Sequence, residues 1–237
     1  MAGLINALKV VGKTMDGIKL VMSGAGAAGV AIAKILLRAV VRNLIVCDRQ
    51  GAISRNNPPK DHSKAWIAEH INPEGIQGSL KEVITGADVF VGVSAPGLLN
   101  REDILRMSEK PVVFALANPD PEIQPEEIYD IAGVIATGRS DYANQINNAL
   151  AFPGVFRGAL NCHARTINDE MCLAAAHALA GIISDRQLTA ENIIPSVFNE
   201  EVAPAVARAV EEVAEQTGVA RKVVSAGFDG EVLPSDS

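Results

Sequence analysis

A chain of 237 residues suits one large α/β domain with short extensions, and 48% hydrophobic against 21% charged residues is the balance of a globular protein with a core. Aromatics make up 4%, so that core must rest on Ala, Val, Ile and Leu. The net charge of −7, without a basic stripe, argues against nucleic acid as a partner, and no apolar run approaches the roughly 18–20 residues of a membrane span.

Taken in chain order, Leu4, Ile5, Leu8, Val10 and Val11 read as the end of an apolar helix that Gly12 stops. No Ser, Thr, Asp or Asn stands ahead of it as a cap. A missing natural beginning and a frayed terminal helix both fit that opening, and the signal-peptide order of basic, apolar and small residues is absent. From Gly17 onward, short β-rich runs alternate with helical periods. Lys19 to Met22 is a strand, Ala27 to Val40 a helix, and Asn43 to Cys47 a second strand ending at Asp48. The polar segment Arg49 to Asp61 reads as loop, with Asn56-Asn57-Pro58-Pro59 as its signature. Ser63 to His70 and Ser79 to Thr85 read as helices. Asp88 to Val93 is a strand stopped by Ser94-Ala95-Pro96-Gly97. Asn100 caps a helix to about Met107, Pro111 to Ala115 is a buried strand before Asn118-Pro119, and Val134 to Ala136 is another. Val155 to Leu160, Asn168 to Ser184 and Glu200 to Thr217 are helical.

This alternation predicts a Rossmann-type α/β fold, a doubly wound parallel sheet with helices on both faces. No repeat or low-complexity segment interrupts it. The simplest division is the end of a linking helix over 1–16, one domain over 17–221 and a tail over 222–237. Cys47, Cys162 and Cys172 form no disulfide framework, which fits a reducing cytosol, and read as small buried hydrophobes.

Chemistry is legible first at Gly24-Ala25-Gly26-Ala27-Ala28-Gly29, between the first strand and its helix. Gly24 permits a tight turn, Gly26 leaves room for a pyrophosphate, and Gly29 lets the helix pack closely. The helix N-terminus offers free N–H groups and partial positive charge. Asp48, 19 residues after Gly29, stands where a carboxylate meets the adenosine ribose hydroxyls. That favours NAD over NADP, with Arg49, Arg55, Lys60 and Lys64 near enough to weaken the preference. Ser94 and Asn118 follow the next strands and are candidates for the nicotinamide side.

Thr137-Gly138-Arg139-Ser140-Asp141-Tyr142-Ala143-Asn144-Gln145-Ile146-Asn147-Asn148 and Phe152-Pro153-Gly154-Val155-Phe156-Arg157-Gly158-Ala159-Leu160 resemble bacterial malic enzymes. So do Leu8-Lys9-Val10-Val11-Gly12-Lys13, Ala117-Asn118-Pro119 and Ile167-Asn168-Asp169-Glu170-Met171. The resemblance implies oxidative decarboxylation of malate to pyruvate and CO2, with reduction of NAD or NADP and a requirement for Mg2+ or Mn2+. It implies that Ala25 to Ala28 lie on the cofactor phosphates, and that Asn118, Asn147 and Asn148 lie near nicotinamide and malate. Which of Asn147 and Asn148 points inward is open. The family's tyrosine acid, lysine base and metal carboxylates belong to an N-terminal malate domain that nothing here matches. The resemblance therefore implies no catalytic residue and no metal ligand in this chain, which would bind dinucleotide without turnover. It also implies a homo-oligomer, with the Met1-to-Val11 helix as the expected exposed apolar patch, while the cysteines lead to the expectation of a cytoplasmic protein.

Other candidates read as structural. Tyr129 and Tyr142 lack a lysine partner, Lys13 reads as solvated, and His62, His70, His163 and His177 lack metal-ligand spacing. Asp120, Glu122, Glu126 and Glu127 read as the solvated first turn of a helix after Pro125. Two other classes fit the glycine loop, a stand-alone dinucleotide sensor and an amino-acid dehydrogenase; the Asn144-to-Pro153 segment argues against the second.

Overall fold

Short aliphatic runs, too apolar to alternate with polar residues, become strands covered on both sides. In the computed structural model, which describes residues 1–59, 61 and 64–221, these are β1 (Lys19–Ser23), β2 (Asn43–Asp48), β4 (Val89–Gly92), β5 (Val112–Ala115) and β6 (Val134–Thr137). They pair in parallel, and with the two-residue β3 (Gly51–Ala52) they form a sheet ordered β3-β2-β1-β4-β5-β6. β3 runs antiparallel, Gly51 facing Asp48. The segment after Asp48 is thus not wholly loop, and the sheet is mixed at that edge. Two small residues carry no periodicity, so this strand was invisible in the sequence. Lys60, His62, Ser63 and the tail 222–237 lie outside the described residues.

Alternate strand positions feed two cores. Leu20, Met22, Val89, Val91, Val112 and Phe114 face one way, packed by α1 (Ala2–Val11), α2 (Ala27–Arg38) and α3 (Ala65–His70). Val21, Ile45, Phe90 and Val113 face the other, packed by α4 (Leu80–Val83) and α5 (Arg101–Leu105). Asn100 caps α5 as its sequence predicts, accepting the Asp103 N–H at 3.0 Å. A third core joins α6 (Phe152–Asn161), α7 (Asp169–Gly181) and α8 (Val202–Gln216), where Val206 and Val210 close against Gly154 and Gly158. α6 begins three residues earlier than its apolar period, because Pro153 is tolerated in a first turn.

α1 corrects one expectation. It ends at Gly12 as read, with φ +70 in the left-handed region. It is not an exposed patch, however: Ala2, Gly3, Leu4, Asn6, Ala7 and Leu8 are buried, against α7, β5 and β6. Asn6 is buried with them because its amide donates to the Ala180 and Ile193 carbonyls at 2.9 and 3.0 Å. The exposed apolar stripe is on α6, where Phe152, Phe156 and Leu160, four residues apart, are 56%, 53% and 71% exposed.

Lys13 corrects another. Its ammonium is not solvated; it donates to Asp88 at 2.8 Å, to Ser108 Oγ at 2.7 Å and to the Glu109 carbonyl at 2.7 Å. Asp88 also accepts from the Lys19 N–H at 2.8 Å and from Ser108 at 2.7 Å, so one carboxylate gathers the entry to β1 and β4. Partial burial pushes this carboxyl up, but the bonds from Lys13, Lys19 and Ser108 outweigh it and hold the pKa below the ordinary value. The folded state therefore binds that proton less tightly than the unfolded chain. Its stabilisation is complete at neutral pH and is lost as pH falls through the folded-state value. Asp88→Asn should cost about 1–3 kcal/mol in denaturant unfolding at pH 7. The deficit should shrink as pH is lowered toward about 3; an equal deficit at both ends would contradict this account.

Candidate functional site

β1 delivers the chain to Gly24, whose N–H donates to the Cys47 carbonyl at 2.9 Å. Gly24 has φ +117, and a Cβ there would lie 2.7 Å from the Val93 carbonyl oxygen, so the turn excludes any side chain. Ala25 turns inward and is buried in the core shared by the sheet and α2. α2 begins at Ala27, with Gly26 as its N-cap and no side chain accepting its first N–H groups. Gly29 rests on the Gly24 carbonyl, where a Cβ would come within 2.0 Å, which is the close helix-to-loop packing expected of it. A Cβ on Gly26 would meet nothing within 4 Å. Gly26, Ala27 and Ala28 are exposed, and the first turn of α2 carries no acidic residue. An uncapped helix N-terminus with open space above its glycine suits a diphosphate.

β1 lies between β2 and β4, so the chain reverses its winding at this loop, and ligands of open α/β sheets settle at such a point. On the β2 side is Asp48. Its Oδ1 accepts the Gln50 N–H at 2.8 Å and its Oδ2 pairs with Lys64 Nζ at 3.1 Å. Of the cations near it in sequence, Lys64 alone among the described residues makes this contact. Arg55 donates instead to the Glu69 carbonyl at 2.8 Å, and Arg49 is exposed.

On the β4 side, Ser94 shares a hydrogen bond with Ser23 Oγ at 2.8 Å, and its N–H donates to Glu122 Oε1 at 3.0 Å. Beyond β5, the Ala117 N–H donates to Glu122 Oε2 at 3.1 Å. The exposed Asn118 follows, joined to Pro119 by a cis peptide bond. Glu122 overturns the reading of a solvated acidic turn: it is 0% exposed, and burial pushes its carboxyl up against the opposing pull of those N–H groups. The residues after Pro125 form only a three-residue 3-10 turn, Pro125–Glu127. Glu126 accepts the Tyr142 hydroxyl at 2.7 Å, and Asp120 lies 3.9 Å from Arg139.

Beyond β6, the Ile146 N–H donates to the Thr137 carbonyl and carries Asn147 and Asn148 to the same edge. Asn147 Oδ1 accepts the Ala149 N–H at 2.9 Å, capping the 3-10 turn Asn148–Leu150. Asn148 is exposed, and its amide has no partner among the described residues. Asn144, missed as a site-building residue, anchors this segment. Buried at φ +57, it donates to the Ile135 and Ala190 carbonyls and accepts the Ile193 N–H. Its tolerance of the left-handed region was the available signal. His70 stacks on Trp66 at 4.6 Å. Among the described residues no group of three His, Cys, Asp or Glu side chains is arranged to hold a metal ion.

The family model "Malic enzyme, NAD binding domain" matches residues 1–215. The chain is 54% identical to the NAD-dependent malic enzyme of Geobacillus stearothermophilus, over 98% of this chain and 49% of that protein. It is 41% identical to the NADP-dependent malic enzyme of Rhizobium meliloti, over 94% of this chain and 31% of that protein. The crystal structure of the malic enzyme from Pyrococcus horikoshii superposes with a TM-score of 0.88 at 44% identity, over 93% of this chain and 53% of that one. The chain thus spans about half the length, or less, of the relatives it matches. With its glycine loop, its strand order and this match over nearly its whole length, the chain belongs to the NAD-binding domain family of malic enzymes.

Proposed function

We propose that this chain holds NAD or NADP along the carboxyl edge of its sheet and orients the nicotinamide toward malate, within an enzyme that decarboxylates malate oxidatively to pyruvate and CO2. The observation that carries this reading is the open Gly26 at the uncapped N-terminus of α2. In it, Gly24 to Gly29 hold the diphosphate, Asp48 meets the adenosine ribose with Arg49 beside it, and Ser94 and Asn118 border the nicotinamide. Bound nicotinamide supplies the acceptor for the hydride from malate C2. Asn118 and Asn148 offer neutral amides that hold a carboxylate and a hydroxyl without adding charge to the hydride path. Asn147 has spent its oxygen on the 3-10 turn and positions its neighbour.

We assign no proton-transfer residue to this chain: the Tyr142 hydroxyl is given to Glu126 and Lys13 is committed to Asp88. The Mg2+ or Mn2+ implied for the family finds no donor cluster among the described residues, so no step is drawn through it. On this reading, which rests on the family resemblance, the chain alone binds dinucleotide without turning malate over. Self-association as a homo-oligomer is supported by the α6 stripe, and a cytoplasmic setting by three free cysteines. No helix among the described residues is long and apolar enough to cross a membrane.

Calorimetric titration with NAD and then NADP tests the reading, and binding of neither overturns it. Asp48→Ala should weaken NAD roughly tenfold and NADP less, because it removes a charged hydrogen bond to the ribose. Lys64→Ala should do the reverse, because the ammonium beside Asp48 offsets its repulsion of a 2′-phosphate.

The two glycines separate binding from folding. Gly26→Ala should cost less than about 1 kcal/mol of stability yet lower dinucleotide affinity. Gly29→Ala should cost about 1–3 kcal/mol from overpacking alone. Equal thermal midpoints for the two variants would contradict the geometry of the loop.

A further inference from the structure

Four bonds converge on the short segment after Asn118. The Gly97 N–H donates to the Pro121 carbonyl and the Leu99 N–H to the Glu122 carbonyl, each at 3.1 Å. The Glu122 carboxylate takes the Ser94 N–H with one oxygen and the Ala117 N–H with the other. These two N–H groups belong to different loops, one leaving β4 and the other leaving β5. The strand ends between them make room for the carboxylate: a Cβ on Gly92 would lie 2.1 Å from Glu122 Cδ. β4 therefore closes on the one residue that lets a buried acid reach both loops.

We propose that Glu122 is a positioning residue for the nicotinamide half of the cleft, fixing Ser94 and Asn118 relative to each other through one bidentate carboxylate. This rests on the dinucleotide reading above. Glu122 is buried, and it acts through the backbone of Ser94 and Ala117. The adenosine half, at Asp48 and the glycine loop, lies across β1 from these bonds. Glutamine cannot replace the acid, because it presents one oxygen and one NH2, and that NH2 would face a backbone donor.

The test compares two probes on the purified chain, NADH, followed by its nicotinamide fluorescence, and ADP, which fills only the adenosine half. Glu122→Gln should bind NADH about tenfold more weakly, as expected when a buried N–H loses its acceptor, and ADP within about twofold of the unaltered chain. Unchanged NADH binding overturns the positioning role. Equal loss of NADH and ADP overturns it too, since it marks a merely structural residue. If the unaltered chain binds neither probe, the dinucleotide reading itself fails. Should Glu122→Gln not fold, Glu122→Asp keeps the charge one methylene short of both donors, and the same comparison on it decides.

Discussion

A parallel strand cannot be paired until the chain has crossed a face of the sheet and returned, usually through a helix that the crossing buries. That constraint shapes this molecule. Each of β1, β4 and β5 is continuously buried from its second residue or earlier because both of its faces are covered, and each ends in a loop on the same edge. The loops after β1, β4 and β5 gather there without any need for the residues in them to be near one another in sequence. The opposite edge is closed by charge: Lys13, Asp88 and Ser108 bind the strand entries together. One end is thus locked, and the other is free to carry polar side chains into solvent.

Charge on the open edge is locally balanced despite the net acidity of the chain. Asp48 faces Lys64, Arg139 is held by Asp141 and stacks over Tyr142 at 5.1 Å, and the Glu122 acid is shut away from water. What remains exposed and uncommitted there is largely amide and backbone, as at Asn118, Asn148 and Gly26. Neutral donors suit an anionic ligand that must bind and leave, since their pull does not depend on a counter-charge.

The fold was legible because its signals are local. Apolar runs marked the parallel strands, Asn100 and Gly12 marked helix ends, and Gly24 to Gly29 marked the first turn. What escaped depends on contacts distant in sequence. β3 is two small residues paired only because Asp48 turns the chain back. Lys13 and Asp88 are 75 residues apart, and nothing near either one announces the pair. Glu122 looked like one of four surface acids, and only Gly92 and two backbone donors from separate loops mark it as different. α1 looked exposed because its partners, α7 and the β5–β6 face, follow it by more than a hundred residues.

Asn144 gives the Asn147–Asn148 segment a double foundation. Its three bonds tie the Asn147–Asn148 segment to β6 and the 190–193 loop, while Leu150 sits in the core shared by α6, α7 and α8. The glycine loop stands on the same sheet and on α2. The Asn147–Asn148 segment is therefore shared between two cores, with Leu150 in the three-helix core and Ile146 and Ile193 packed against the sheet core that also carries the glycine loop. Repacking in either core would thus be felt at Asn147 and Asn148, although neither residue is itself part of a core.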